Sequence, residues 1–341
     1  MRGVALAGVT RRPRELAGGC WCAVVVALSG CGSQTGSVTM MHERPGGGWR
    51  ACVDSRDVST VGDPGYALSS SSEDEHERLV RQADMYAPFT RRLLARAGIE
   101  PGMRVLDVGC GPGDVSLLLC ELVGADGSVV GVERDEQALA RARQRAVEAA
   151  IENVEFVLGD FREVELAGGP FDALVGRLVL MYQGDPPAAV RAAARHVRPG
   201  GVVVFAEMCF RTGSAIPQRF LVSWPHTPAS ERLSEWIDGA FGGLGTQPDM
   251  GMRLPATFAE AGLEPSLDLD SEVAIAVGEE AVSEAVDFAR SLLPGIVAAG
   301  VATEEEVDID TLAERLHADT GPVGRISFWP TVIGAYAKKP Q

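Results

Sequence analysis

The sequence predicts an α/β fold with a mostly parallel sheet, and three observations predict it. Short apolar runs alternate with helix-period segments from Arg104 to Glu207. The first run leads straight into a glycine-rich turn, VLDVGCGPGD (105–114). The segments between the runs have the length of crossover helices, which parallel neighbours require.

The chain has 341 residues, 46% of them hydrophobic and 23% charged, enough for a sizeable buried core. Its net charge of −16 argues against nucleic acid, because phosphate binding needs clustered Lys and Arg. The first fifty residues differ from the rest: six Arg stand against Glu15 and Glu43, a net of +4 that leaves −20 for the remainder. Within them, RRPRELAGGCWCAVVVALSGCGSQ (11–34) puts basic residues before an apolar stretch too short to span a membrane as a mature helix. Leu28–Cys31 (LSGC) resembles a bacterial lipoprotein signal and offers one reading, export. The other is an upstream extension that the folded domain does not need, with the start at Met40 or Met41. Residues 1–74 are therefore expected to be a disordered or processed extension, ending in a linker (43–75) rich in Gly, Ser, Asp and Pro. Of the seven cysteines, four lie in the first 52 residues, and the remaining Cys110, Cys120 and Cys209 have no metal-ligand spacing. No metal site is expected.

From Glu75 to Ala97, apolar residues at Leu79, Ala83, Tyr86, Phe89, Leu93, Leu94 and Ala97 follow a helical spacing. Pro88 predicts a break into two consecutive helices. RVLDVG (104–109) is the first strand, and the helix after the glycine turn ends at Gly124. SVVGVE (128–133) is a second strand and DEQALARARQRAVEAA (135–150) its helix. NVEFVLGD (153–160), FDALVG (171–176) and GGVVVFAE (200–207) supply strands three to five, with a helix at 185–197. These elements define a core domain over 75–209. The rhythm then stops, and 210–257 reads as an inserted lid beside the strand ends. Residues 258–341 complete the sheet, with a strand at 272–278, helices over 279–318 and one final strand at 326–339.

The glycine turn does not fit a dinucleotide fingerprint. After Gly109 and Gly111 the third glycine of G-x-G-x-x-G is replaced by Asp114, and Gly113 falls out of step. No Lys follows to make a phosphate loop, and Asp107 suits a cationic ligand better than a pyrophosphate. Further acidic side chains stand at later strand ends, Glu133 after the second and Asp160, followed by Phe161, after the third. RPGG (198–201) precedes the fifth strand.

Taken in order, these features resemble class I S-adenosylmethionine-dependent methyltransferases over roughly 75–210. The resemblance implies a Rossmann-like sheet with a helical N-terminal segment and a lid after the fifth strand. It implies S-adenosyl-L-methionine as cofactor, with Asp107, Gly109, Cys110, Gly111, Gly113 and Asp114 around its methionine part. Glu133 with Arg134 would meet the ribose, and Asp160 with Phe161 the adenine. Arg177, in VGRLVLMYQGDP (175–186), occupies a place where relatives line the pocket. Gln82 and Tyr86 on the leading helices could close over the cofactor as in some relatives.

The reaction implied is in-line displacement on an activated methyl, so the protein must chiefly align the partners and exclude water. Where the nucleophile arrives protonated, Glu207 at the end of the fifth strand, His226 in the lid and Tyr182 are the candidate catalytic side chains. Trp224, Phe241, Met250 and Met252 point to an apolar acceptor pocket, hence a small, partly apolar metabolite accepting methyl on oxygen, nitrogen or carbon. No stable membrane association is expected, and the cytoplasm, where the cofactor is made, is the expected compartment. A catalytically inactive binding module of the same fold and an NAD-dependent oxidoreductase are the alternatives. The sequence leaves the acceptor atom and the oligomeric state open.

Overall fold

A computed structural model of the chain describes residues 73–341, apart from 211–220, 244, 267–269, 274, 319 and 321–323, together with three strands nearer the N-terminus; side chains are described from Gln82 onward. The chain divides into two units, Met1–Gly62 and Asp63–Gln341.

In the first unit β1 (Cys22–Val26), β2 (Val38–Glu43) and β3 (Trp49–Val53) form an antiparallel sheet in that order. The sequence reading assigns no strand here. The Val24–Val26 run, met above as part of an apolar stretch, pairs with Val38–Met40 of β2, as β-branched side chains favour. The lipoprotein-like Leu28–Cys31 segment lies outside the described residues.

The second unit opens on α1 (Glu73–Ala97), one unbroken helix with Pro88 inside it. The expected break at Pro88 is absent. Pro88 and Asp84, whose carbonyl loses its helical partner, are both exposed, so water can serve that carbonyl. The opposite face buries Tyr86, Phe89, Leu93 and Leu94, and that burial outweighs one lost hydrogen bond.

The main sheet is built from β4 (Arg104–Val108), β5 (Ser128–Glu133), β6 (Val154–Leu158), β7 (Phe171–Arg177) and β8 (Val197–Cys209). Helices α2 (Asp114–Val123), α3 (Glu136–Glu148) and α4 (Pro186–Ala194) connect them. The spatial order is β6-β5-β4-β7-β8, all parallel. Leu106 of β4 faces Val130 on one side and Leu174 on the other. Chain direction across the sheet reverses at β4, so the crevice beyond its carboxyl end lies at a switch point where ligands bind.

Short strands and helices share the remaining chain. β9 (Val222–Trp224) is followed by α5 (Pro228–Gly243), α6 (Met250–Glu260), β10 (Glu264–Pro265), β11 (Asp270–Glu272) and β12 (Ile275–Val277). Then come α7 (Glu279–Ala298), α8 (Glu304–Val307), α9 (Leu312–Ala318), β13 (Ile326–Phe328) and β14 (Thr331–Lys338). β14 lies antiparallel against β8, and β10 and β11 pair antiparallel with β14. The single final strand of the sequence reading is thus two strands. Trp329-Pro330 separates them, because proline cannot donate to a ladder, and β13 joins a different sheet.

That sheet is small, ordered β12-β13-β9. Its inner face carries Ala276, Ser327 and Ser223, and its outer face Val277, Phe328, Val222 and Trp224. The stretch read as one inserted lid, 210–257, is not a single piece. α6 packs on β8 and β14 as part of the core, and a Cβ on its Gly251 would stand 2.7 Å from the Glu207 carbonyl oxygen. α5 packs instead on α7 and α9, so one helical layer is assembled from both sides of α6.

Candidate active site

A cavity of about 500 Å³ opens beyond the carboxyl ends of β4 to β8. Its floor is the glycine turn. Gly109, Gly111 and Gly113 all have positive φ (64°, 52° and 87°), a conformation that side chains resist. Gly109 and Gly111 line the cavity with Cys110, Asp114 and Asp107. Gly113 does not, which corrects its assignment to the ligand. It begins α2 instead, and a Cβ there would stand 3.0 Å from the Ala142 Cβ on α3.

Asp107 is buried and accepts a 2.6 Å hydrogen bond from the Ser116 hydroxyl. Burial pushes its pKa up to about 7, against the pull of Ser116 and Arg177. Burial likewise pushes the Cys110 thiol up, so it stays protonated and inert. Asp114 is tied to α3 by Arg145, which donates to its carboxylate at 2.5 Å and to the Pro112 carbonyl at 2.8 Å. Asp114 therefore braces the turn while also facing the cavity.

Glu133 at the end of β5 closes the same turn from the other side. Its carboxylate accepts from the backbone N–H of Gly111 at 3.0 Å, Arg134 at 2.8 Å and Asp135 at 3.0 Å. Asp135 caps α3 by accepting from Gln137 and Ala138. Asp160, after β6, receives its own neighbour's guanidinium: Arg162 donates from Nε at 2.9 Å, and this pairing holds the Asp160 carboxyl below its usual range. Arg134, Phe161 and Arg162 line the cavity beside them.

Arg177 ends β7, half-buried in the cavity wall. It donates to the Thr90 hydroxyl of α1 at 3.2 Å and has no ion pair among the described residues. Burial lowers its pKa, while Asp114 and Asp107 pull it back up. A cation held this deep without a carboxylate partner is a ready receptor for an anionic group. Next to it, Leu178 has φ 58°, a left-handed conformation that costs a leucine about 1–2 kcal/mol. A 3-10 turn, Leu180–Tyr182, follows.

Of the candidate catalytic residues only Tyr182 lines the cavity. Glu207 is wholly buried behind it and accepts three backbone N–H groups, so it meets no substrate. A strand end offers two faces, and Glu207 sits on the inner one. His226 is exposed, its ring edge-on to Trp224 at 5.7 Å, away from the cavity. Among the apolar candidates Phe241 lines the cavity. Trp224 and Met252 instead face outward, 58% and 61% exposed, and Met250 is buried in the α6 packing.

The rest of the wall was not legible in the sequence. Phe288 on α7 stacks on Phe241 of α5 with centroids 6.3 Å apart and planes 23° from parallel. Met181, Gln183 and Met208 join them, while Gln82 and Tyr86 of α1, both named from the sequence, also line the cavity. The Tyr86 hydroxyl donates to the Pro330 carbonyl at 3.1 Å. The cavity is thus divided. Every charged side chain on it comes from β4 to β7 and the turns after them, while Phe241, Phe288, Met181 and Met208 are uncharged.

Comparison with known proteins agrees with this arrangement. Residues 99–236 match a family model described as a methyltransferase domain. A demethylmenaquinone methyltransferase of Staphylococcus aureus is 32% identical over 124 residues, 36% of this chain and 51% of the relative. Nocamycin O-methyltransferase of Saccharothrix syringae is 34% identical over 118 residues, 35% of this chain and 42% of the relative. Aklanonic acid methyltransferase of a Streptomyces species is 27% identical over 171 residues, 46% of this chain and 78% of the relative. The chain spans about half or less of the length of the first two relatives. A parallel sheet reversing at β4, a left-handed glycine turn and acidic side chains at successive strand ends accompany this match to a methyltransferase domain over residues 99–236.

Proposed function

We propose that the protein transfers the methyl group of S-adenosylmethionine to a small, partly apolar metabolite. The observation that carries this reading is the division of one cavity into a charged half and an aromatic half. The charged half fits the cofactor. Asp107 beside the glycine turn suits the ammonium and sulfonium charges, and the Arg177 guanidinium, without an ion pair among the described residues, suits the carboxylate. Glu133 retains lone pairs for ribose hydroxyls, and Asp160 with Phe161 suits adenine, with Cys110, Gly109, Gly111, Asp114 and Arg134 shaping the walls.

The cofactor supplies a methyl already activated by the sulfonium, so the chain's own work is placement and exclusion of water. Phe241 and Phe288 present flat apolar surface to the acceptor, and Met181 and Met208 adapt to its outline. Tyr182 is the remaining candidate for orienting a polar group on the acceptor. Phe241 and Phe288 bring helices α5 and α7 to the site. The net charge of −16 supports a metabolite rather than a nucleic acid. Among the described residues no helix is long and apolar enough to cross a membrane, and the cytoplasmic origin of the cofactor supports a cytoplasmic enzyme.

Isothermal titration with S-adenosylhomocysteine and, separately, NADH tests the cofactor. Binding of the first alone is expected, and binding of NADH alone would sink the reading. A transfer screen with methyl-labelled cofactor and planar phenols, enols and amines then tests the acceptor. Cofactor binding without transfer to any of them would favour the inactive binding module.

A further inference from the structure

Glu207 takes no part in the chemistry proposed above, yet it is a fully buried carboxylate immediately behind the cavity wall. One of its oxygens accepts from the N–H of Val179 at 3.0 Å and of Leu180 at 2.7 Å, and the other from Met181 at 3.2 Å. These donors open the Leu180–Tyr182 turn and would otherwise be orphaned, since a 3-10 turn cannot satisfy its own first N–H groups. The turn is preceded by Leu178, whose left-handed backbone persists only if its surroundings hold it. It delivers Met181, Tyr182 and Gln183 to the cavity and presses Val179 onto Gly109.

From this geometry we infer that Glu207 is the positioning residue of the acceptor wall, its ionised carboxylate clamping the Val179–Met181 backbone against the cofactor turn. Naming this wall the acceptor side rests on the methyl-transfer reading; the clamp itself does not. The clamp works only with an acceptor at all three contacts. A proton on either oxygen weakens that oxygen as an acceptor and adds a hydrogen with no acceptor to meet among the three N–H groups, and an amide nitrogen in its place cannot accept at all. Among the described residues no other charged side chain shapes the setting of Glu207: the turn offers backbone amides, β14 places Ile333 opposite it, and α6 brings Gly251 against its carbonyl. Burial raises its pKa to about 7, within reach of ordinary buffers.

The test is hydrogen exchange read by mass spectrometry on the full chain with saturating S-adenosylhomocysteine, comparing the wild type with Glu207→Gln. Protection of amides 179–181, corrected for the intrinsic exchange rate, should fall at least tenfold in the variant, while peptides of β4 and β5 keep theirs. In the wild type the same protection should fall several-fold from pH 8 to pH 5.5, and in Glu207→Gln it should be flat. A side chain that merely fills space would show no such pH profile. Unchanged protection at 179–181 in the folded variant overturns the inference. If the variant does not fold, pH-independent protection in the wild type overturns it instead. Failure of the wild type to bind S-adenosylhomocysteine counts against the methyl-transfer reading, and exchange without ligand then still reads the clamp.

Discussion

A Cβ on Gly109 would stand 2.7 Å from Cγ2 of Val179. The glycine turn after β4 and the turn after β7 therefore meet at a position where a side chain is missing. Glycine is needed there twice, for the neighbour and for φ 64°. Through this contact the charged and aromatic halves of the cavity are set relative to each other.

Gly109→Ala should consequently do more than an ordinary glycine substitution. The left-handed backbone alone costs about 1 kcal/mol, and Val179 must also move. Chemical denaturation should show a loss of about 2 kcal/mol, and titration calorimetry at least a tenfold weaker affinity for S-adenosylhomocysteine. Wild-type affinity in the variant would mean that the two turns move independently.

Arg177 lacks a carboxylate partner among the described residues, so a ligand carboxylate should be worth a charge-assisted bond to it. Arg177→Met is expected to weaken S-adenosylhomocysteine about 10- to 100-fold. Methylthioadenosine, which has no carboxylate, should bind both proteins alike. Equal losses for the two ligands would place Arg177 elsewhere in the mechanism.

Asp107 brings a pH dependence whose sign follows from its raised pKa. The unfolded chain loses this proton near 3.8 and the folded protein near 7. Between those values the folded state holds a proton that the unfolded state has lost, so this group's contribution to stability declines as pH rises through the window and levels off above 7. Glu207 acts in the same direction from 4.5 to about 7. A cationic ligand needs the Asp107 anion, so its affinity should rise about tenfold from pH 6 to pH 8. Thermal melts of the ligand-free protein and calorimetry across that range check both trends. Asp107→Asn should flatten the affinity profile.

Phe288 serves both packing and wall. Phe288→Ala should cost about 3 kcal/mol of stability, since the ring is buried between Phe241 and Trp329. Cofactor affinity should stay within about twofold, because the ring stands on the uncharged half of the cavity. His226→Ala, on the exposed surface, should leave both stability and affinity unchanged. A cofactor defect in either variant would show that the two halves are not separate.

Much of this architecture was readable in advance for a local reason. Asp107, Glu133 and Asp160 each sit where a strand ends and a turn begins, and strand, turn and helix are written in adjacent residues. α1 was misread at Pro88 because a proline's cost is local whereas the burial of Tyr86, Phe89 and Leu93 that outweighs it is not. Glu207 and His226 were misassigned for a related reason. The end of a strand is visible in sequence, but which side of the sheet the last side chain takes, and whether a loop histidine turns inward, depend on what packs beside them.

The aromatic half was the least legible part. Phe241, Trp224, Met250 and Met252 looked equivalent as apolar residues in an irregular stretch, yet Phe241 alone of the four lines the cavity, and its partner Phe288 lies on a helix with an ordinary amphipathic pattern. By itself the sequence determined the sheet and the glycine turn, because period, turn chemistry and acidic strand ends act within a few residues of each other, and the resemblance these carry implied the cofactor. The tertiary structure alone decided which apolar side chains face the cavity and that Glu207 braces a turn rather than lines the cavity. Those outcomes depend on contacts between residues far apart in the chain, such as Val179 on Gly109 and Phe288 on Phe241, and no local pattern encodes them.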